Sequence, residues 1–98
     1  MIVRIVRMEF RKEEVDRFQE IFDESKHKIR AFPGCEELQL HGDPQNPAIR
    51  YTYSKWLSED ALNAYRKSEL FGGVWPRTKA LFATKPQAFS LVQLEQID

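Results

Sequence analysis

The sequence predicts an α+β fold in which strands and helical regions alternate as β-α-β-β-α-β, giving four antiparallel strands with both helical regions on one face. Three observations carry this expectation. Runs of β-branched, aromatic and alternating apolar residues occupy 2–10, 35–43, 49–56 and 87–96. Apolar residues recur at helical spacing over 12–31 and again after Ser58. Proline, glycine or Asx pairs punctuate the junctions between these stretches.

The first run, IVRIVRMEF, alternates so that Val3 and Ile5 share one face while Ile2, Val6, Met8 and Phe10 share the other. Both faces are largely apolar, so this strand needs cover on two sides. From Lys12 to Ala31, Val15, Phe18, Phe22 and Ile29 form an apolar stripe, with Ile21 beside it, among charged and amide residues. Glu13 and Glu14 open this helix and Lys26, Lys28 and Arg30 close it, in keeping with the helix dipole. Pro33-Gly34 stops it.

CEELQLHGD sets Leu38 and Leu40 against Glu37, Gln39 and His41, the pattern of a half-exposed strand. DPQNP then turns the chain into IRYTYSKW, where Ile49, Tyr51, Tyr53 and Lys55 oppose Arg50, Thr52, Ser54 and Trp56. Ser58 is an N-cap candidate, backed by Glu59 and Asp60 and by a Leu57/Leu62 staple. In the helix that follows, Ala61, Leu62, Tyr65 and Phe71 point inward. Gly72-Gly73 is expected to break it before WPRTKALFA, with Pro76 at a first-turn position. Lys85-Pro86 ends the helical region, and QAFSLVQLEQ returns as the last strand.

A chain of 98 residues makes one domain, residues 1–98, with a limited core: folding hides only about 60–68% of its unfolded surface. Two helices cover only one side of the sheet, so the apolar back of the first and last strands predicts a homodimer packed sheet against sheet. Hydrophobic residues at 42% exclude a disordered chain, and charged residues at 31% describe a solvated exterior. Fifteen basic side chains balance fifteen acidic ones, which argues against nucleic acid as a partner. A single cysteine, Cys35, excludes an internal disulfide, and no signal peptide or membrane-length apolar run is seen. A cytoplasmic protein with no membrane partner is expected.

Metal chemistry has no foothold, because His27 and His41 have no second His or Cys at ligand spacing. Cys35 has no neighbouring histidine to make it a thiolate, and no phosphate-cradling glycine loop or GxSxG motif occurs. What stands out is the stretch Ile49–Trp75, which gathers Tyr51, Tyr53, Trp56, Tyr65, Phe71 and Trp75. Core packing alone would account for many such rings, but buried indole and phenol groups need polar partners, and Trp56 and Trp75 stand where elements end or break. Arg50, Arg66 and Arg77 lie near enough in sequence to offer a cation to an anionic ring. A flat, partly polar pocket for a small aromatic molecule is the implied site.

The segments MIVRIVRMEF, KIRAFPGCEEL, YTYSKW and SEDALNAYRKSELF resemble the antibiotic biosynthesis monooxygenase domain, a family of dimeric α/β barrels with ferredoxin-like protomers. The most telling piece is a tryptophan followed by S-E-x-A-hydrophobic-x-x-Y-R-x-S-x-x-F, here Trp56 to Phe71. The family hosts several activities. Its quinol-oxidising members use no cofactor: a phenolic substrate is deprotonated and its carbanion reduces dioxygen. The resemblance implies that Trp56, Tyr65 and Arg77 are catalytic and that Tyr51, Tyr53, Phe71 and Trp75 bind substrate, with neither metal nor cofactor. This chain departs from those members in having only Thr52 and Ser54 where they carry a strand asparagine, and Leu70 where many have histidine, which removes an evident general base. For the heme-degrading branch, Trp75 occupies the axial-histidine position and Val6 the first-strand asparagine position, so heme degradation is not expected. The reading is a cofactor-independent monooxygenase acting on a small aromatic or quinol-like molecule. The alternatives are a non-catalytic small-ligand-binding or stress-associated domain, and a purely structural dimerisation module.

Overall fold

The computed structural model describes residues Met1–Asp98. Strand β1 spans Ile2–Glu9, and a single 3₁₀ turn at Lys12–Glu14 leads into α1, Val15–Arg30. Strands β2 (Cys35–Gly42) and β3 (Ile49–Trp56) follow, then α2 (Glu59–Arg66), α3 (Glu69–Lys79) and β4 (Gln87–Val92). The strands form one antiparallel sheet in the order β2-β3-β1-β4, the ferredoxin-like arrangement. The sheet is open: nothing in a single chain pairs with the outer edges of β2 and β4, so no barrel closes within one protomer.

Register decides which residues face the helices. Val6 pairs with Thr52 and Arg4 with Ser54, and Leu38 and Leu40 pair with Ser54 and Thr52, so these side chains share the helix-covered face. The opposite face carries Val3, Ile5, Tyr51, Tyr53, Phe89 and Leu91, aligned by the pairs Ile5↔Tyr53, Ile5↔Phe89 and Val3↔Leu91. Phe89 and Leu91 are about half exposed, at 49% and 50%.

Two apolar clusters build the core. Met8, Phe10, Phe18, Ile21, Phe22 and Leu81 join the start of α1 to the end of β1 and to the segment after α3. Cys35, Trp56 and Leu62, with Phe32 and Tyr65 against them, join β2, β3 and α2 at the other end. Between α1 and β2 the chain turns through Gly34 at φ +89°, where a β-carbon would come within 2.5 Å of the Ala61 side chain. Glycine here satisfies both a left-handed turn and the close approach of α2.

Two expectations are corrected. The second helical region breaks at Lys67-Ser68 instead of Gly72-Gly73: Ser68 is extended (φ −78°, ψ 160°), and its hydroxyl accepts the Phe71 N–H at 3.1 Å, capping α3. The glycine pair lies inside α3, where it costs stability without forbidding a helix. Pro76 therefore stands in the helix interior, not in a first turn. The proline lacks the N–H that would bond Gly72, an exposed residue whose carbonyl water can reach. The last strand is also shorter than its 87–96 pattern. It ends at Val92, and Leu94 and Ile97 beyond it are 89% and 79% exposed.

Candidate functional site

A cavity of about 180 Å³ lies between the sheet and the helices, in the gap that the two core clusters leave. Its floor is the helix-facing side of the sheet, including Val6, Thr52, Ser54 and Trp56. Its roof is Tyr65, Phe71, Val74 and Trp75 from α2 and α3, and Phe18 and Phe22 close it from α1. The volume is comparable to the roughly 150 Å³ apolar cavity known to admit benzene, and below the roughly 300–1,000 Å³ of drug-sized sites. A single ring or a small bicycle suits it.

The rings form a continuous wall. Trp56 and Tyr65 stack with centroids 5.0 Å apart, Tyr65 meets Phe71 edge-on at 5.2 Å, and Phe71 stacks on Trp75 at 5.8 Å. Alternation along β3 brings Trp56 inward, and the caps at Ser58 and Ser68 set the rotation of the two helices that carry the others. Trp56 is fully buried, and its indole N–H donates to the Ser54 hydroxyl at 2.9 Å. No buried side-chain polar atom is left without a partner, so the Tyr65 hydroxyl, unbonded within the chain, reaches open space. Burial, and then the neighbouring Cys35, push the Tyr65 phenol up to about 12. Burial raises the Cys35 thiol as well. Neither group is a base near neutral pH.

Of the residues expected at the site, Trp56, Tyr65, Phe71 and Trp75 line this cavity together. Tyr51, Tyr53 and Arg77 do not. Period-two alternation puts both tyrosines on the sheet's opposite face, where the Tyr53 hydroxyl donates to Glu37 at 3.1 Å. Arg77 lies on the outside of α3, its Nε donating to the Gly73 carbonyl at 2.8 Å and its Nη1 to Glu24 at 3.2 Å. The cationic side chains lining the cavity are Arg4 and Arg66. Arg66 is one of the three arginines expected from sequence, whereas Arg4 is not among them. Its signal was a charge inside the inward-facing row Ile2, Val6, Met8 of an otherwise apolar strand face. No group of three or more His, Cys, Asp or Glu side chains is placed to hold a metal ion.

Fold and cavity together define a two-layer, ferredoxin-like protein with a ring-lined chamber between its layers. The sequence model of the antibiotic biosynthesis monooxygenase family matches residues 1–74, and the chain belongs to that family. Solved structures agree in fold. A crystal structure of an antibiotic biosynthesis monooxygenase is similar with a TM-score of 0.90 at 20% identity, covering 97% of this chain and 100% of its own. A Mycobacterium tuberculosis protein gives 0.90 at 18% identity, covering 99% and 98%. A conserved protein from Methanosarcina mazei gives 0.87 at 17% identity, covering 93% and 91%. None of the curated proteins matches the sequence. No helix is long and apolar enough to cross a membrane.

Proposed function

We propose that the protein is a cofactor-independent monooxygenase for a small aromatic or quinol-like molecule. The observation that carries this is the chamber itself: stacked Trp56 and Tyr65, with Phe71 and Trp75, enclose space for a flat ring beside the hydroxyls of Thr52 and Ser54. Membership of a monooxygenase family supplies the reaction class. In the proposed reaction a phenolic ring loses its proton and the resulting anion reduces dioxygen directly. One oxygen atom enters a ring carbon as a carbonyl, and the other leaves as water with the ring and phenol hydrogens. All four electrons come from the substrate. Tyr65, Phe71 and Trp75 hold the ring, Trp56 fixes Tyr65 by stacking behind it, and the surrounding apolar wall keeps the carbanion from being quenched by bulk water.

We further propose that two copies meet through the open sheet face, because Val3, Ile5, Phe89 and Leu91 form an apolar strip that one chain leaves uncovered. A second functional reading, ligand binding without chemistry, is favoured by one feature: the cavity wall holds no histidine or carboxylate, and its one phenol stays protonated. Oxygen uptake with a panel of hydroquinones and naphthols separates the two. Turnover by the wild type that falls at least tenfold in Trp56→Phe supports the oxygenase. Absence of uptake with every compound leaves the binding reading.

A further inference from the structure

The charged side chains lining the cavity are both positive. Arg4 projects from β1 and Arg66 ends α2, and neither forms an ion pair with any carboxylate. One Arg4 donor is spent on the Ser90 hydroxyl at 2.8 Å. Burial first, and the charge of Arg66 second, lower the Arg4 guanidinium from its ordinary value. A half-buried cation, Arg4, and an exposed one, Arg66, at one mouth of an apolar space repel each other unless an anion comes between them. Glu59 shares a second, neighbouring pocket of about 270 Å³ with Arg66, Asn63 and Ser90, but it does not line the cavity and makes no ion pair with either arginine. The remaining titratable group of the wall, Tyr65, is neutral. Thr52, Ser54 and Thr78 add hydroxyls without charge.

We propose that Arg4 and Arg66 form an anion clamp that selects aromatic ligands bearing an ionised oxygen and holds a phenolic ligand as its phenolate. This deepens the oxygenase reading and rests on it for the identity of the ring. It supplies what the wall otherwise lacks, a means of deprotonation without a general base. The phenol O–H bond breaks, the proton goes to bulk water, and the electron pair stays on the oxygen beside the two guanidiniums. Arginine suits this role because it remains charged and offers several donors in a fixed plane.

The test uses 4-nitrophenol, whose ionised form has its own absorbance band, titrated against pH with the full-length protein in excess. The apparent pKa of the bound phenol should fall by one unit or more, a tenfold or greater preference for the anion. Benzoate should displace it and benzamide should not. Arg66→Gln, an exposed substitution, should abolish most of the shift, as should Arg4→Gln. Arg17→Gln, on the outer surface of α1, should preserve it. An unchanged or raised pKa, a shift that survives the Arg4→Gln/Arg66→Gln double variant, or no binding of 4-nitrophenol overturns the clamp. The two readings fail separately: a phenolate preference without oxygen uptake from any quinol sinks the oxygenase and keeps the clamp. Quinol turnover with no preference for the anion does the reverse.

Discussion

Trp56 shows how one residue serves both packing and site. It fills the smaller core cluster, and its N–H is satisfied by Ser54 two positions back on the same strand face. Ser54→Ala strands that buried donor and should cost about 1–3 kcal/mol, read as a lower denaturant midpoint in equilibrium unfolding. Tyr65 makes a pH prediction. Its folded pKa of about 12 lies above the ordinary 10.0, so the folded state keeps the proton longer than the unfolded chain. The stabilisation is complete below pH 10 and disappears as pH rises through about 12, amounting to roughly 2–3 kcal/mol at most. Tyr53 and Cys35 are raised too, so the difference between wild type and Tyr65→Phe isolates this part. Denaturation curves measured between pH 9 and 12 should lose their steepest alkaline decline in the variant.

The elements set the orientation of these side chains. The break between α2 and α3 falls where Ser68 both caps α3 through the Phe71 N–H and donates to the Tyr65 carbonyl at 2.6 Å, tying the end of one helix to the start of the next. Ser68→Ala should lower stability by about 1 kcal/mol and loosen the roof that Phe71 and Trp75 provide. Thermal unfolding followed by tryptophan fluorescence would register both effects. The Gly72-Gly73 pair was the stronger sequence signal for a break, yet Ser68 prevailed because a cap satisfies orphan N–H groups, whereas glycine only weakens a helix it need not end. β3 teaches a similar lesson. Its alternation was plain in IRYTYSKW, but alternation alone does not say which face meets the helices. The tyrosine-rich face was the natural candidate for a pocket wall, yet it is the polar Thr52/Ser54 face that the helices cover.

At the scale of the molecule, one side of the sheet builds the chamber and the other remains bare. If that bare side joins two copies, the wild type should sediment as a dimer at micromolar concentration. Phe89→Glu, placing a charge in the exposed strip opposite Ile5, should shift it to monomer while leaving the fold intact. Velocity sedimentation with far-ultraviolet circular dichroism checks both parts.

The order of strands and helices and the ring cluster from Trp56 to Trp75 could be read directly from the chain. They depend on local periodicity, capping and turn chemistry, which neighbours in sequence express. The presence of Arg4 and Arg66 at one cavity could not, because these residues stand 62 positions apart and come to one space only when β1 lies beside β3 and α2 packs on β3. Nor could the exclusion of Tyr51, Tyr53 and Arg77 from the chamber. Which face of a two-sided strand is covered follows from long-range packing that its own alternation does not encode, and α3, with rings and glycines on several sides, has no single apolar stripe to fix where Arg77 points.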